Sequence, residues 1–232
     1  MQPLIRAARK RSLDFGLCYH RFEEIPFGDP KPGMAITPER FEGHLKALGE
    51  VGRFISLDEA RVPSREEGIR FFLTFDDGYR DNATVLLPIL ERQEIPASLF
   101  VATGWLNGRM DALDHDFEAG FCPPGLTAED LKRLGGHPLI TIGAHTVTHR
   151  NLGRLTGEEL RREIFDSRDW LREVVGQPIE HFAYPFGLPA DMNWAEGMAL
   201  LNEAGMKTVS SNYGGANRSP RETGVVTTGS RY

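Results

Sequence analysis

Short runs of apolar residues, rich in β-branched and aromatic side chains, recur at Phe15–Tyr19, Phe71–Phe75, Ser98–Ala102, Leu139–Gly143, His181–Tyr184 and Lys207–Ser210. Each reads as a buried strand. Between them the apolar positions fall at helical spacing. Thr37 reads as an N-cap with Pro38 at the first helical position, and Phe41, Leu45 and Leu48 then share one face. Thr127 opens a short helix closed by Gly135. Thr156 and Glu159 have capping-box spacing ahead of a stripe at Leu160, Ile164, Leu171 and Val174, which ends at Gly176. Near-continuous apolar strands alternating with amphipathic helices predict an α/β fold, a parallel sheet covered by helices, either open and doubly wound or closed as a barrel. In both, ligands gather at the carboxyl ends of the strands. Val225–Thr228 adds one short strand candidate.

Polar residues cluster at those predicted strand ends. The second run finishes Thr74-Phe75-Asp76-Asp77-Gly78, and the fourth leads into His145-Thr146-Val147-Thr148-His149. Histidines at i and i+4 share one face of a helical turn, so both rings can reach one ion. Gly78 permits a sharp turn directly after the two aspartates, so that both carboxylates can face the strand mouth. One can bind a metal while the other takes a proton. The competing reading of Asp76-Asp77-Gly78 is a simple turn into a helix at Tyr79–Asn82. His20 and the Pro185-Phe186-Gly187 turn also directly follow strand-like runs.

Composition narrows the partners. With 27 basic against 33 acidic residues and a net charge of -6, the chain has no basic excess to track a phosphate backbone, and nucleic acid is not an expected partner. No run approaches the roughly 18 apolar residues of a membrane span. At 232 residues a single domain over 15–232 is expected, preceded by a basic tail over 1–14 that lacks the apolar stretch of a secretory signal. The default compartment is therefore cytoplasmic, with exported or membrane-peripheral placement as alternatives; oligomeric state is not legible. Cys18 and Cys122 are too few and too separated for a disulfide framework and read as ordinary thiols.

Thr74-Phe75-Asp76-Asp77-Gly78-Tyr79, Gly143-Ala144-His145-Thr146-Val147-Thr148-His149 and Phe182-Ala183-Tyr184-Pro185-Phe186-Gly187 closely resemble the motifs of the polysaccharide deacetylases, carbohydrate esterase family 4 or the NodB-homology domain. The resemblance covers roughly residues 15–210. It implies a distorted (β/α)₇ barrel, incomplete at the C-terminus if the chain is truncated. It also implies one divalent ion, most often zinc, on Asp77, His145 and His149. Asp76 would be the base that deprotonates the attacking water. Tyr184, Pro185 and Phe186 would line the substrate, with a backbone N–H of that turn facing the oxyanion. An N-acetylated glycan is the implied substrate, and acetate the product.

Two features depart from the family pattern. The proton-donating histidine of its C-terminal Leu-x-His motif is missing, but Leu17-Cys18-Tyr19-His20 resembles a permuted arrangement in the poly-N-acetylglucosamine deacetylase branch and makes His20 the expected general acid. The family's Arg-x-Pro-Tyr motif is read here as Ala183-Tyr184-Pro185-Phe186, without the arginine that orients the base. Asp191 and Trp194 imitate an Asp-x-x-Trp motif but read equally as a helix N-cap and a core aromatic. Asp111, Asp114, His115 and Asp116 read as a solvated loop, and Trp105 as packing rather than a sugar platform. Two rival functions remain: a catalytically impaired saccharide-binding relative and, more remotely, a non-haem iron oxygenase, whose two-histidine, one-carboxylate triad has the same donors.

Overall fold

The computed structural model of the protein describes residues 12–23, 34–62, 67–108, 113, 123–212 and 225–227. The apolar runs form parallel strands, namely Ser12–Tyr19 (β1), Gly68–Phe75 (β5), Ala97–Val101 (β6), Ile140–Ala144 (β7), His181–Ala183 (β8) and Thr208–Ser211 (β9). Val225–Thr227 (β10) adds to β9 where one more strand was expected. Three two-residue strands, Arg21–Phe22 (β2), Ala35–Ile36 (β3) and Arg53–Phe54 (β4), complete the set. The main sheet runs β1-β5-β6-β7-β8-β9-β10, with β4 also paired to β5. Among the described residues no ladder joins β1 to β10, so the sheet curls as an open, distorted barrel.

Helices cover the sheet: Pro38–Gly49 (α1), Leu57–Arg61 (α2), Leu87–Gln93 (α3), Thr103–Leu106 (α4), Ala128–Gly135 (α5), Gly157–Val175 (α6) and Trp194–Glu203 (α7). The Thr37 and Thr127 caps form as expected, their hydroxyls accepting from Arg40 N and Asp130 N. The Thr156–Glu159 capping box does not form. Gly157 instead takes a left-handed φ of 56°, and its N–H donates to Glu196 Oε1 of α7 at 2.6 Å. A tertiary acceptor thus satisfies the first N–H of the helix, a donor that the capping box would not have reached. No described helix is long and apolar enough to cross a membrane.

The pairing of β1 with β5 builds one side of the strand mouth. β1 begins at Ser12 rather than Phe15, inside the expected tail, because Asp14 lies opposite Arg70 in the ladder and takes its guanidinium in two bonds of 2.7 and 2.8 Å. Both side chains are buried, so neither charge is stable alone. At the other end of the pair Tyr19 stacks on Phe75 at 5.3 Å, and Phe41 of α1 meets both rings edge-on. Each buried aromatic contributes about 2–3 kcal/mol of burial, and together they clamp α1 over the ladder. Tyr19 and Phe75 point into this cluster. By strand alternation their neighbours Cys18, His20, Thr74 and Asp76 face the other side.

Candidate active site

Asp76 and Asp77 stand at the end of β5 and diverge there. Asp76 continues the ladder, its N–H donating to Tyr19 O at 2.9 Å. Asp77 breaks it: the sharp turn expected of Gly78 begins at Asp77 itself, with φ 77°, and continues through Gly78 at 92°. A carboxylate-bearing residue in this region is strained by roughly 1–3 kcal/mol and persists only when its surroundings fix it. They do so through the Asp77 carbonyl, which accepts from Ala102 N and from the Trp105 indole, each at 3.2 Å. Trp105 also packs edge-on against Tyr79, so it supports Asp77 from behind.

The two histidines are not on a helix. Residues 145–149 form a loop in which Thr146 (φ 68°) and His149 (φ 56°) are left-handed, and the His149 N–H donates to Thr146 Oγ1 at 3.0 Å. The i,i+4 spacing therefore brings the rings together by a different route, to a centroid separation of 5.0 Å. Neighbours brace the loop on both sides. Its Thr146 and Val147 carbonyls accept from Thr103 N and Gly104 N at the start of α4. Its Val147 and Thr148 N–H groups donate to Glu163 Oε2 at 2.8 Å each, and the Thr148 hydroxyl donates to Oε1 at 2.5 Å. Glu163 is a buried acid on the apolar face of α6, next to Ile164. That misplaced polarity was its only signal in the sequence.

Asp77, His145 and His149 offer ligand atoms that all lie within 4.8 Å of one another. The His145 and His149 Nε2 atoms are 3.5 and 3.3 Å from Asp77 Oδ1. The Ala183 carbonyl, 2.7 Å from His145 Nδ1, can only accept, so Nδ1 carries a proton, and in the neutral ring Nε2 presents a lone pair to the carboxylate. Neutral imidazoles that turn their Nε2 lone pairs on a buried carboxylate repel it unless a cation lies between them, and this set of donors fits a divalent metal. The pocket's field agrees. Burial alone would lower the His145 pKa, but the Asp77 contact and the charges of Asp76 and Asp77 raise it.

His20 joins the site from just beyond the end of β1, with ligand atoms of His20, Cys18 and Asp76 within 4.8 Å of one another. Its carbonyl accepts from Asn82 Nδ2 at 3.0 Å, and the next strand is tied by Phe22 N to Asp81 Oδ2 at 2.9 Å. Burial raises the Asp81 pKa to about 6 against the hydrogen bonds it accepts from Phe22 N and Asn82 Nδ2 and the charge of Arg21. Cys18, read from the sequence as an ordinary thiol, lies with Sγ 3.2 Å from Asp76 Oδ2. Burial, and then the Asp76 charge, push its pKa up, so it is a neutral donor. Asp76 Oδ1 is left without a hydrogen-bond partner among the described residues.

The Tyr184–Phe186 turn divides. Tyr184, expected at the substrate, is buried: its hydroxyl donates to Gly187 O at 3.1 Å and its ring meets Trp194 edge-on. Pro185 is buried as well. Phe186 does reach the site. Gly187 N donates to Pro185 O at 2.8 Å, which turns the chain tightly around Phe186 at φ 66° and lays its ring 5.1 Å from that of His149. Of the five described non-glycine residues with positive φ, four (Asp77, Thr146, His149 and Phe186) surround this site. A Cβ on Gly187 would stand 2.5 Å from the Asn212 backbone nitrogen, so only glycine closes the turn.

Asp191 and Trp194 are structural. Asp191 ends a short 3₁₀ turn and accepts from Leu188 N and Asn151 Nδ2, while Asn193 caps α7 and Trp194 donates to Pro189 O. Asp111, Asp114, His115, Asp116 and Cys122 lie outside the described residues.

The sequence model for polysaccharide deacetylase matches residues 65–209. The chain is 26% identical over 162 residues to Bacillus subtilis (strain 168) YxkH, named for a polysaccharide deacetylase, an alignment covering 66% of this chain and 52% of that protein. It is 24% identical over 153 residues to the chitooligosaccharide deacetylase of Azorhizobium caulinodans, covering 65% and 61%. It thus spans about half to three-fifths of the length of these curated relatives. IcaB from Ammonifex degensii superposes with a TM-score of 0.73 at 25% identity, over 94% of this chain and 92% of that one. The Streptococcus pyogenes deacetylase PplD, solved with acetate, shares the fold at a TM-score of 0.74 and 20% identity, over 93% and 91%. With that match spanning more than half of the sequence and the strand-end motifs gathered in one pocket, this chain belongs to the polysaccharide deacetylase family.

Proposed function

We propose that the chain is a metal-dependent hydrolase that removes acetyl groups from an N-acetylated glycan. The observation that carries this reading is a separation of roles: Asp77 shares one group with His145 and His149, while Asp76 shares another with His20. A divalent ion held by Asp77, His145 and His149, zinc being the best match to two imidazoles and a carboxylate, would supply Lewis-acid polarisation of water and of the acetamide carbonyl.

The protein groups do the rest. Asp76 Oδ1 takes a proton from the water as its oxygen bonds to the carbonyl carbon, and the Cys18 thiol on Oδ2 holds the carboxylate in one orientation. In the turn after β8, Pro185 has no N–H and that of Tyr184 points to Ser210 O, which leaves the Phe186 N–H for the developing oxyanion. His20 passes a proton to the nitrogen as the carbon–nitrogen bond breaks, so acetate and an amine leave. Phe186 and Leu188, 46% and 47% exposed, provide an apolar rim for a sugar face.

The test is acetate release from chitooligosaccharides by zinc-loaded protein, without oxygen. Release that stops on chelation and returns with zinc is expected. Folded, metal-loaded protein that binds the oligosaccharide but frees no acetate would mark it as a saccharide-binding relative, and oxygen-dependent turnover would mark it as an oxygenase.

A further inference from the structure

We propose that Cys18, His20 and Asp76 form a second cation site, distinct from that of Asp77, His145 and His149, which takes a thiophilic divalent ion such as zinc or cadmium. Cys18 lies on β1 and His20 directly follows its last residue, two positions on, so the two share a face, and Asp76 directly follows the partner strand β5 beside them, its N–H bonded to Tyr19 O. Their ligand atoms lie within 4.8 Å of one another, with Cys18 Sγ 3.2 Å from Asp76 Oδ2. Bonds of about 2.0–2.3 Å in a tetrahedron set ligand separations of roughly 3.3–3.8 Å, so small side-chain movements suffice to close the site.

Two further atoms point the same way. His20 Nδ1 and Asp76 Oδ1 are buried and lack hydrogen-bond partners among the described residues, although both can offer lone pairs. Burying such atoms unpaired costs about 1–3 kcal/mol each, and a cation would relieve that cost. The donors also decide which cation. A sulfur, an imidazole and a carboxylate favour zinc or cadmium over magnesium or calcium.

Charge permits both ions at once. Two divalent cations would meet the carboxylates of Asp76 and Asp77 and the Cys18 thiolate, leaving a net charge of about +1 on the pair of sites. On binding, the Cys18 S–H bond breaks, its proton goes to solvent, and the sulfur lone pair goes to the ion. If the proposed function holds, occupancy also removes Asp76 and His20 from the reaction, so zinc would activate at low concentration and inhibit in excess.

Cadmium titration of metal-free protein tests the site, with Cys122→Ser as background so that Cys18 is the one thiol. Two ions per chain are expected by calorimetry, one of them accompanied by the ultraviolet thiolate-to-cadmium charge-transfer band and the release of one proton. His20→Ala should weaken the band-forming ion at least tenfold and leave the other unchanged. His149→Ala should lose the other ion and keep the band. Circular dichroism establishes that each variant is folded. A single ion with no band, or a band-forming ion equally tight in His20→Ala, overturns the proposal. Because the titration does not read acetate, its failure is separable from failure of the deacetylase reading: a thiolate band in a protein that frees no acetate upholds the site and rejects the activity.

Discussion

Glu163→Ala removes the one acid that holds the His145–His149 loop from the N–H side. In the native protein its carboxylate accepts from Val147 N, Thr148 N and Thr148 Oγ1. Hydrogen bonds to a charged group are worth about 1.5–3 kcal/mol each, and a buried N–H left without a partner forfeits a similar amount. The hydroxyl can turn to water, so the two backbone bonds dominate and the expected loss is about 3–5 kcal/mol. For a domain of this size that lowers Tm by roughly 10 °C. The loss falls on a loop that already holds two non-glycine residues at positive φ. Released on one side, the loop should leave the geometry in which both imidazoles meet Asp77. If 2–3 kcal/mol of the loss appears as loop opening, zinc affinity drops about 30–150-fold. Glu163→Gln keeps an acceptor and loses only the charge, and should cost about tenfold. Zinc competition titration and thermal melts of the metal-free proteins measure both. A Glu163→Ala variant that binds zinc as tightly as the wild type would show that the bonds from Thr103 and Gly104 alone hold the loop, and would refute this reasoning.

Asp76→Asn should keep the metal and lose turnover by about 10²–10⁴-fold, the usual contribution of a general base; His145→Ala should lose both, and acetate release with metal analysis separates them. Arg70→Ala leaves the Asp14 carboxylate buried without its guanidinium, and a melt should show about 3–5 kcal/mol of lost stability. Asp81 gives a pH signature. Its folded pKa of about 6 lies above the ordinary 3.8, so between those values the folded state holds a proton that the unfolded chain has lost. Stability from this group is therefore fully present below about pH 4, falls as pH rises to about 6, and stays low above that, a span on the order of 3 kcal/mol. Asp81→Asn should flatten that part of the Tm-against-pH curve, and an unchanged slope would show that Asp81 is not its source.

What the sequence determined by itself was whatever depends on near neighbours. Apolar runs became strands, the Thr37 and Thr127 caps formed, and the strand-end motifs named the residues that meet in the pocket. Capping, alternation and turn chemistry act over a few residues, so they are written in order along the chain. Tertiary structure decided how those residues are held. The histidines sit on a strained loop rather than a helical turn because Glu163, on a distant helix, satisfies that loop's N–H groups. Cys18 faces Asp76 because ladder register sets which side of β1 it occupies. Tyr184 is buried because its hydroxyl finds Gly187 O inside the turn, which leaves Phe186 at the rim. Each of these outcomes rests on a partner chosen by packing, and hydrophobic pattern along a chain carries no record of which distant donor or acceptor will arrive.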